Sequence, residues 1–384
     1  MKNIKNELSD NKIHDYLNPD YVYIPILDGY RIDVEENSKV YKEDILLTNK
    51  DDLHIYSPIS GKVIGKTSSL LLKNKQVTCL VIENDFKESV RKNKGVVRYI
   101  SDYSKSELID LIKTYQASKV NLYNKATHLV INGIDKDAYE KTRSYLVNEY
   151  SDKILETVDA IINVLDIKDT LFAINNSDTN NVLNLSSHIG TYPNIKLKLM
   201  PDTYPIGFKT ILLNNLYSSK QLDEGVIVLN VEDVYNIYTV LKRKKPILEK
   251  IITISGNSVE NSMVVRTKIG TSLQDLITHT CKIGNDKYYV VVNGLISGLT
   301  LESLNSVITN DVRSIFLNTE DVQKEVACIN CGLCNLKCPM HLNPKYIKEH
   351  SKADKSKCIK CGLCTYICPS RINFKPYLGG NDEE

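Results

Sequence analysis

Two cysteine-rich segments near the C-terminus carry the residues whose type and spacing most directly indicate chemistry. Eight of the ten cysteines fall in two copies of one pattern, CINCGLCNLKCP from Cys328 and CIKCGLCTYICP from Cys358. Three cysteines in one tight turn, with a fourth followed by proline, supply the four thiolates that a cubane iron-sulfur cluster needs. The pattern therefore predicts two 4Fe-4S clusters, whose chemistry is one-electron transfer.

The fourth cysteine of each copy is expected to bind the cluster of the other copy, as in two-cluster ferredoxins. One predicted ligand set is Cys328, Cys331, Cys334 and Cys368, and the other is Cys358, Cys361, Cys364 and Cys338. Zinc sites are the alternative, but they usually place their cysteines in two separated pairs. A disulfide framework is disfavoured because the first residues lack the apolar core of a secretory signal and the cysteines are clustered so locally.

The cysteine-rich module is also strongly basic. Between Cys328 and Pro376 nine Lys and Arg stand against two acids, Glu349 and Asp354. Part of this charge compensates the anionic clusters, each about −2 with its thiolates. Two interpretations of the remainder stay open. The basic rim docks an acidic carrier such as a ferredoxin, or it serves charge compensation and solubility alone.

Length and composition limit the remaining possibilities. A chain of 384 residues with 42% hydrophobic residues suggests two or three domains. The net charge of +2 gives no case for nucleic-acid binding. No apolar run approaches the ~20 residues of a spanning helix, so a direct membrane span is not predicted. Reduced thiols and intact clusters favour the cytoplasm, with any membrane association made through a partner on its cytoplasmic face.

The first organised block, from about Tyr21 to Asp85, predicts short strands in YVYIPI, DILL, SPISGKVIG and QVTCLVIE. Its Pro-x-Ser-Gly-x-Val stretch, from Pro58 to Val63, resembles the barrel-sandwich fold of lipoyl and biotinyl carrier domains. A carrier lysine would stand at a hairpin tip, whereas Lys62 follows the turn glycine within a strand. A structural sandwich is therefore favoured over a swinging arm.

From about Ser104 to Pro246, strands and helices alternate. ATHLVING, TLFAIN, IKLKLM and GVIVLN predict buried strands, with long helices after the first and the last. This alternation predicts a Rossmann-like parallel sheet with a ligand crevice at the strand C-termini. A β-rich piece follows from about Ile247 to Lys282, with a helix from Leu273 that Thr271 or Ser272 is expected to cap.

This order of parts resembles the RnfC family, which contributes one subunit to Rnf electron transport complexes, and its relatives associated with proline reductase. The resemblance covers nearly the whole chain and is most specific in the cysteine motifs. Further similarities lie in VINGIDKDAY (Val130 to Tyr139), TYPIG (Thr203 to Gly207), VIVLNVEDVYNIY and ISGNSVENSMVVRTKIGT. The resemblance implies a multidomain α/β fold and redox partners: a ferredoxin-like carrier, a reductase or Rnf-type membrane subunits.

The implied domains follow one another along the chain. They are a flexible N-terminus (1–20), a barrel-sandwich β domain (21–95), a Rossmann-like α/β domain (96–246), an SLBB-like β-grasp with connecting strands (247–320), a helical dicluster ferredoxin module (321–376) and an acidic tail (377–384).

The chain departs from the family where a flavin and a nicotinamide nucleotide would bind. In the family, a glycine-rich loop after the first helix of the middle domain lets backbone amides approach phosphate. Here no glycine occurs between Ser104 and Asn132. Asp135 and Asp137 stand where the family has glutamates, and with Gly133 they are the remaining weak candidates for a nucleotide site. They are expected to be a turn glycine and two solvated aspartates, and FMN and NADH are not expected to bind.

Three functions remain open. The first is a non-catalytic relay that passes electrons through two clusters between redox partners. The second is a flavin-dependent, NADH-oxidising catalytic subunit with a divergent loop. The third is a redox-sensing or assembly protein. No catalytic residue is assigned. Cys79 and Cys281 are expected to be inert thiols, and His341 either tunes a cluster or is merely exposed.

Overall fold

The computed structural model describes residues 8–70, 75–91, 98–122, 126–284, 287–319 and 324–379. Its strands are β1 (Leu8–Tyr16), β2 (Tyr21–Pro25), β3 (Tyr30–Ile32), β4 (Lys39–Val40), β5 (Ile45–Asn49), β6 (His54–Tyr56), β7 (Gly61–Leu70), β8 (Gln76–Asn84), β9 (His128–Asn132), β10 (Asp169–Asn175), β11 (Ile195–Met200), β12 (Val226–Asn230), β13 (Glu249–Ser255), β14 (Ser262–Lys268), β15 (Tyr288–Val292), β16 (Leu299–Thr300) and β17 (Ser314–Thr319).

The helices lie mainly in the middle of the chain and in the cysteine-rich module. They are α1 (Lys105–Thr114), α2 (Thr142–Leu165), α3 (Thr179–Ile189), α4 (Lys209–Leu216), α5 (Ser219–Asp223), α6 (Val231–Arg243), α7 (Leu273–Thr280), α8 (Leu333–Leu336), α9 (Pro344–Glu349) and α10 (Leu363–Tyr366). Within the described ranges, no helix has both the length and the apolar character needed to cross a membrane.

Two small antiparallel sheets form the first body, in the orders β2-β8-β7-β4 and β3-β5-β6. Their apolar residues meet in one core that includes Val22, Leu46 and Ile82. Gly61 begins β7 where a Cβ atom would lie 1.8 Å from a backbone oxygen of β8, so only glycine fits. The next residue, Lys62, lies in that strand with an exposed side chain, as predicted.

The N-terminus differs from the expectation of a flexible segment. β1 pairs in parallel with β14, matching Ile13 with Val264 and Tyr16 with Thr267. An ion pair joins Asp15 to Arg266 across the two strands at 2.7 Å. The predicted flexibility is therefore wrong for Leu8–Tyr16, because backbone pairing and this ion pair fix a strand whose sequence is polar.

The middle of the chain forms a four-stranded, wholly parallel sheet in the order β11-β10-β9-β12. All five residues of β9 are buried, as expected for a strand covered on both faces. Helices α2 and α6 pack on one face through residues such as Val158 and Val234. Leu212 of α4 covers the other face. The prediction of a mixed α/β fold is confirmed.

Local signals explain where several helices begin. Ser104 and Glu107 form a reciprocal capping box at the start of α1, and Asn230 and Asp233 do the same for α6. The side chain of Ser272 accepts the N–H of Asp275 at the start of α7, so Ser272 is the predicted cap.

A six-stranded sheet in the order β1-β14-β13-β17-β15-β16 forms the third body. Strand β13 pairs antiparallel with β14 and parallel with β17. Helix α7 covers this sheet through Leu276 and Ile277, which are fully buried. The segment 293–298, which we call the bridging loop, links β15 to β16 and lies against the cysteine-rich module.

Candidate electron-transfer site

The two cysteine motifs fold as copies of one backbone pattern. Each copy places three residues in the left-handed region at matching positions: Asn330, Gly332 and His341 in the first, and Lys360, Gly362 and Arg371 in the second. Each glycine precedes a single-turn helix, α8 or α10, that carries the third cysteine. The repeated turn is what brings three cysteines of one motif to the same side of the chain.

The first cavity lies at the surface of the module and measures about 330 Å³. Four cysteines line it: Cys328, Cys331, Cys334 and Cys368. Cys328 and Cys331 are exposed, and the other two are partly buried. Three thiols of the first motif thus lie beside the fourth thiol of the second.

The second cavity lies between the module and the rest of the protein and measures about 400 Å³. Its cysteines are Cys338, Cys358, Cys361 and Cys364. The last three are buried, and burial raises the pKa of Cys361 to about 11 and that of Cys364 to about 12. Metal charge is what stabilises thiolates in such surroundings.

These donors fit iron-sulfur clusters better than single ions. Each cavity offers four soft sulfur ligands, which favour iron-sulfur clusters, zinc and copper(I). Yet nowhere in the described chain do three or more His, Cys, Asp or Glu side chains converge closely enough to hold one metal ion. Cavities of this size, lined by four thiols that do not converge on a point, suit the larger cubane.

Three contacts seat the second cavity on the body of the protein. The Tyr204 hydroxyl donates to the backbone oxygen of Cys361. Lys375 Nζ donates to the backbone oxygen of Gly298 in the bridging loop at 2.5 Å. A Cβ atom on Gly362 would lie 2.2 Å from the backbone oxygen of Ile296, so this glycine is required for close packing, whereas Gly332 has open space around it.

Asp137 holds the bridging loop from the other side. Its carboxylate accepts hydrogen bonds from the backbone N–H groups of Leu295, Ile296 and Ser297 at 2.9 to 3.1 Å, and from the Ser297 hydroxyl. Burial and the nearby Glu140 raise the pKa of Asp137, and these hydrogen bonds oppose the rise. The expectation of a solvated turn residue is wrong for Asp137, which is 2% exposed.

Asp135 is also tied into the structure. It accepts hydrogen bonds from the backbone N–H of Arg143 at 2.8 Å and from the Ser144 hydroxyl at 2.7 Å, and so caps α2. Burial raises the pKa of Asp135 to about 7. Its expected role as a solvated turn residue is therefore also wrong. Gly133 follows β9 as predicted, where a Cβ atom would crowd Ile174 and Ala173.

The place of the glycine-rich loop is filled by side chains. Residues 116–120, just after α1, border a cavity of only about 110 Å³ with Asn230, Glu232 and Arg143. A ligand of flavin size needs ~300 Å³ or more. Arg143 Nε donates to Glu232 at 2.9 Å and Nη1 donates to the Ile134 backbone oxygen at 2.9 Å. The residues present do not fit FMN at this place.

A larger polar cavity of about 670 Å³ opens at the C-terminal ends of β9, β10 and β11, where a Rossmann-like crevice is expected. Gly133 and Asp135 line it with Asp178 and Asp202. The predicted candidates are therefore near one another, but three carboxylates here oppose phosphate binding.

Sequence reasoning missed the contacts that seat the second cavity. Tyr204 lies in the TYPIG segment, which signalled family likeness but no role. Lys375 was counted in the basic rim, yet it is mostly withdrawn from solvent, and burial lowers its pKa against the pull of Asp137 and two cysteines. His341 is exposed.

The two cysteines outside the motifs agree with the expectation of inert thiols. Cys79 is fully buried in β8, and burial raises its pKa to about 11. Burial also raises the pKa of Cys281 at the end of α7, although its Thr280 neighbour lowers it slightly.

Comparison with protein families separates the chain into two matched regions. Residues 112–239 match the Nuo51 FMN-binding domain, and residues 320–369 match the 4Fe-4S dicluster domain. The second match agrees with the cysteine pattern, so the chain carries a 4Fe-4S dicluster domain.

Similar proteins extend over most of the chain. The RnfC-type subunit of the ion-translocating oxidoreductase complex of Buchnera aphidicola is 24% identical over 372 residues, covering 88% of this chain and 78% of its own. The corresponding subunit of the proton-translocating ferredoxin:NAD(+) oxidoreductase complex of Clostridium ljungdahlii is 24% identical over 368 residues, with 88% and 79% covered. The chain belongs to the RnfC family. As an RnfC-type protein with a dicluster domain, it is an iron-sulfur electron-transfer protein.

A solved structure shares the fold of this RnfC-type chain. The crystal structure of an NAD+-reducing [NiFe]-hydrogenase in the air-oxidised state aligns with a TM-score of 0.52 at 14% identity. The alignment covers 74% of this chain and 65% of the hydrogenase chain, just under two thirds of the latter. At this identity the likeness concerns the fold alone.

Proposed function

We propose that this RnfC-type protein is a two-cluster electron relay within an oxidoreductase complex. One cluster is held by Cys328, Cys331, Cys334 and Cys368, and the other by Cys358, Cys361, Cys364 and Cys338. When bound, the clusters supply one-electron transfer at low potential. The observation that carries the proposal is the grouping of all eight cysteines around two cavities, four to each.

The protein residues determine how the two clusters are presented. Exposed Cys328 and Cys331 bring the first cluster to the surface, where a redox partner reaches it. Buried Cys361 and Cys364 place the second against the body, held by Tyr204 and Lys375. This arrangement gives the relay one end open to a carrier and one end facing the remainder of the complex.

The partner at the open end is an acidic redox protein such as a ferredoxin. Ile329 and Leu336 are 65% and 76% exposed beside the first cavity, and basic residues such as Lys337 surround them. Apolar contact area within a basic rim favours an acidic carrier, because opposite charge speeds encounter and apolar contact holds the complex briefly. The relatives' names describe subunits of ion-translocating complexes, and we place this chain in such a complex, peripheral to the membrane on its cytoplasmic face.

The finer architecture is part of the proposal. Residues 21–95 form a barrel-sandwich domain, 96–246 a Rossmann-like domain and 247–320 an SLBB-like β-grasp, followed by the ferredoxin-type module at 321–376 and the acidic tail at 377–384. The two small sheets around one core support the first of these, and the parallel order β11-β10-β9-β12 supports the second. The pairing of α7 with a mixed sheet supports the third.

A flavin-dependent NADH oxidase is the second candidate, favoured by the match of residues 112–239 to an FMN-binding domain. Against it stand the small cavity beside residues 116–120 and the Arg143–Glu232 ion pair that borders it. In the relay, the middle domain acts as a scaffold that seats the second cluster.

An anaerobic assay of iron, sulfide and flavin on the purified protein separates the two candidates. NADH is then added while the visible spectrum is recorded. The relay predicts about eight irons, no flavin and no bleaching by NADH. Bound FMN with rapid bleaching would replace the relay with the catalytic function.

A further inference from the structure

Ser370 carries a buried hydroxyl group that no protein atom satisfies. The residue is 2% exposed and follows the Cys368-Pro369 pair of the second motif. Its backbone oxygen accepts the N–H of Val326 at 3.1 Å, but its Oγ has no hydrogen-bond partner in the described chain. Buried hydroxyl groups are nearly always hydrogen-bonded, so this one calls for an acceptor that belongs to the site.

The cavity beside Ser370 is the one lined by Cys328, Cys331, Cys334 and Cys368. Ser370 itself lines it. The acceptors that a cluster brings to such a cavity are sulfide and thiolate sulfur, and both carry negative charge. A buried donor beside them satisfies its own requirement and stabilises that charge.

The other motif has no such donor. Its matching position after Cys338-Pro339 is Met340, which lines the second cavity with a thioether that cannot donate a hydrogen bond. The two copies are alike in backbone and in cysteines, so this pair of residues is a built-in difference between them.

We propose that the Ser370 hydroxyl donates a hydrogen bond to sulfur of the surface cluster and raises its reduction potential. The proposal rests on the two-cluster relay described above. Reduction adds one electron, taken from a reduced donor, to a group that is already negative. A hydrogen bond to sulfur stabilises the reduced form more than the oxidised form, so the potential rises. Ser370 acts as a positioning residue for charge and not as a ligand.

Redox titration followed by EPR tests this on the full chain, with Ser370→Ala compared with Ser351→Ala, an exposed serine of the same module. Ser370→Ala is expected to lower the potential of one cluster, leave the other unchanged and remove one exchangeable proton coupling in deuterated buffer. Ser351→Ala is expected to leave all three unchanged. Unmoved potential and coupling in Ser370→Ala would overturn the proposal, as would equal shifts of both clusters.

A converse variant keeps the test decisive if Ser370→Ala assembles poorly. Met340→Ser introduces the donor at the second cluster, whose potential should rise with a new exchangeable coupling. An unchanged second cluster in a fully loaded Met340→Ser protein would contradict the proposal. Iron analysis separates the two hypotheses: a wild-type protein without about eight irons refutes the relay, whereas eight irons with unmoved potentials refute only the role of Ser370.

Discussion

Exposure distinguishes the two groups of cysteines at the level of single residues. Cys328 and Cys331 are exposed, whereas Cys358, Cys361 and Cys364 are buried. Since access of solvent and of other reagents follows exposure, the surface cluster should exchange electrons with carriers directly and should be the first to be lost to oxidants. The same motif thus produces two clusters with different tasks.

Cys331→Ala tests the assignment of ligands to the surface cluster. Removing one of four thiolates should destroy that cluster, lower the iron content from about eight to about four per chain and abolish electron throughput between partners. Circular dichroism should show the N-terminal sheets still folded. Cys79→Ala removes a buried thiol outside the motifs and should keep all the iron; full iron in Cys331→Ala would refute the ligand assignment.

Asp135→Asn tests the buried carboxylate at the start of α2. Its pKa is raised to about 7 from 3.8, so the folded protein holds a proton that the unfolded chain releases. Stability should therefore fall as pH rises from about 4 to about 7 and stay lower above that window, by ~4 kcal/mol. The variant should flatten this part of the profile of Tm against pH. Electron throughput should be unchanged.

Asp166→Asn is the matched control for Asp135, because Asp166 is an exposed carboxylate at the other end of the same helix. Its profile of Tm against pH should follow the wild type. If Asp135→Asn also followed the wild type, the raised pKa of Asp135 would be refuted; a loss of electron throughput in that variant would instead point to a ligand at Asp135.

At the scale of elements, the bridging loop connects the middle of the protein to the second cluster. Asp137 follows β9 and holds the backbone N–H groups of residues 295–297, while the same loop accepts Lys375 and lies against Gly362. A carboxylate at the position of a family glutamate therefore serves as a structural anchor in this chain. The cysteine turn is only as well placed as this loop.

Asp137→Ala should loosen the second cluster without affecting the first. The change leaves three buried N–H groups unpaired, at ~1 to 3 kcal/mol each, so the bridging loop should open. Iron release to a chelator should then become biphasic, with about half of the iron leaving several-fold faster than in the wild type. Asp202→Asn, at the edge of the same polar cavity, should release iron at the wild-type rate. A single wild-type phase in Asp137→Ala would refute the anchoring role.

The elements that could be predicted are those with local signals. The strands of the parallel sheet are short apolar runs, and α1, α6 and α7 have capping residues at their starts. β1 could not be predicted, because LSDNKIHDY has no apolar alternation and its pairing partner lies some 250 positions along the chain. The cysteine spacing predicted the clusters, since ligand geometry is encoded in a few consecutive residues.

The anchoring contacts around the second cavity were beyond sequence reasoning for a related reason. Asp137 and Ser297 are 160 positions apart, and Tyr204 and Cys361 are 157 apart. No period or spacing links such pairs. The loss of glycine near residues 116–120 did predict the narrow cavity there, because side chains replace backbone in the space that a ligand would need.

At the scale of the whole molecule, charge and exposure are concentrated at one end. The net charge of the chain is only +2, yet the module from Cys328 to Pro376 carries seven more basic than acidic residues. A field of this kind steers an acidic partner to the surface cluster, and salt screens it over ~10 Å at 0.1 M. The orientation of the encounter is thus set by the protein as a whole.

Lys337→Glu tests this steering. Lys337 is exposed between the third and fourth cysteines of the first motif, so reversing its charge should slow electron transfer with an acidic ferredoxin roughly 3- to 10-fold at low salt and leave cluster content unchanged. The difference from wild type should shrink as salt rises, because the field is screened. Lys220→Glu makes the same charge change on exposed α5, outside the module, and should have little effect. Equal slowing by the two variants would mean that net charge, and not the module's surface, guides the partner.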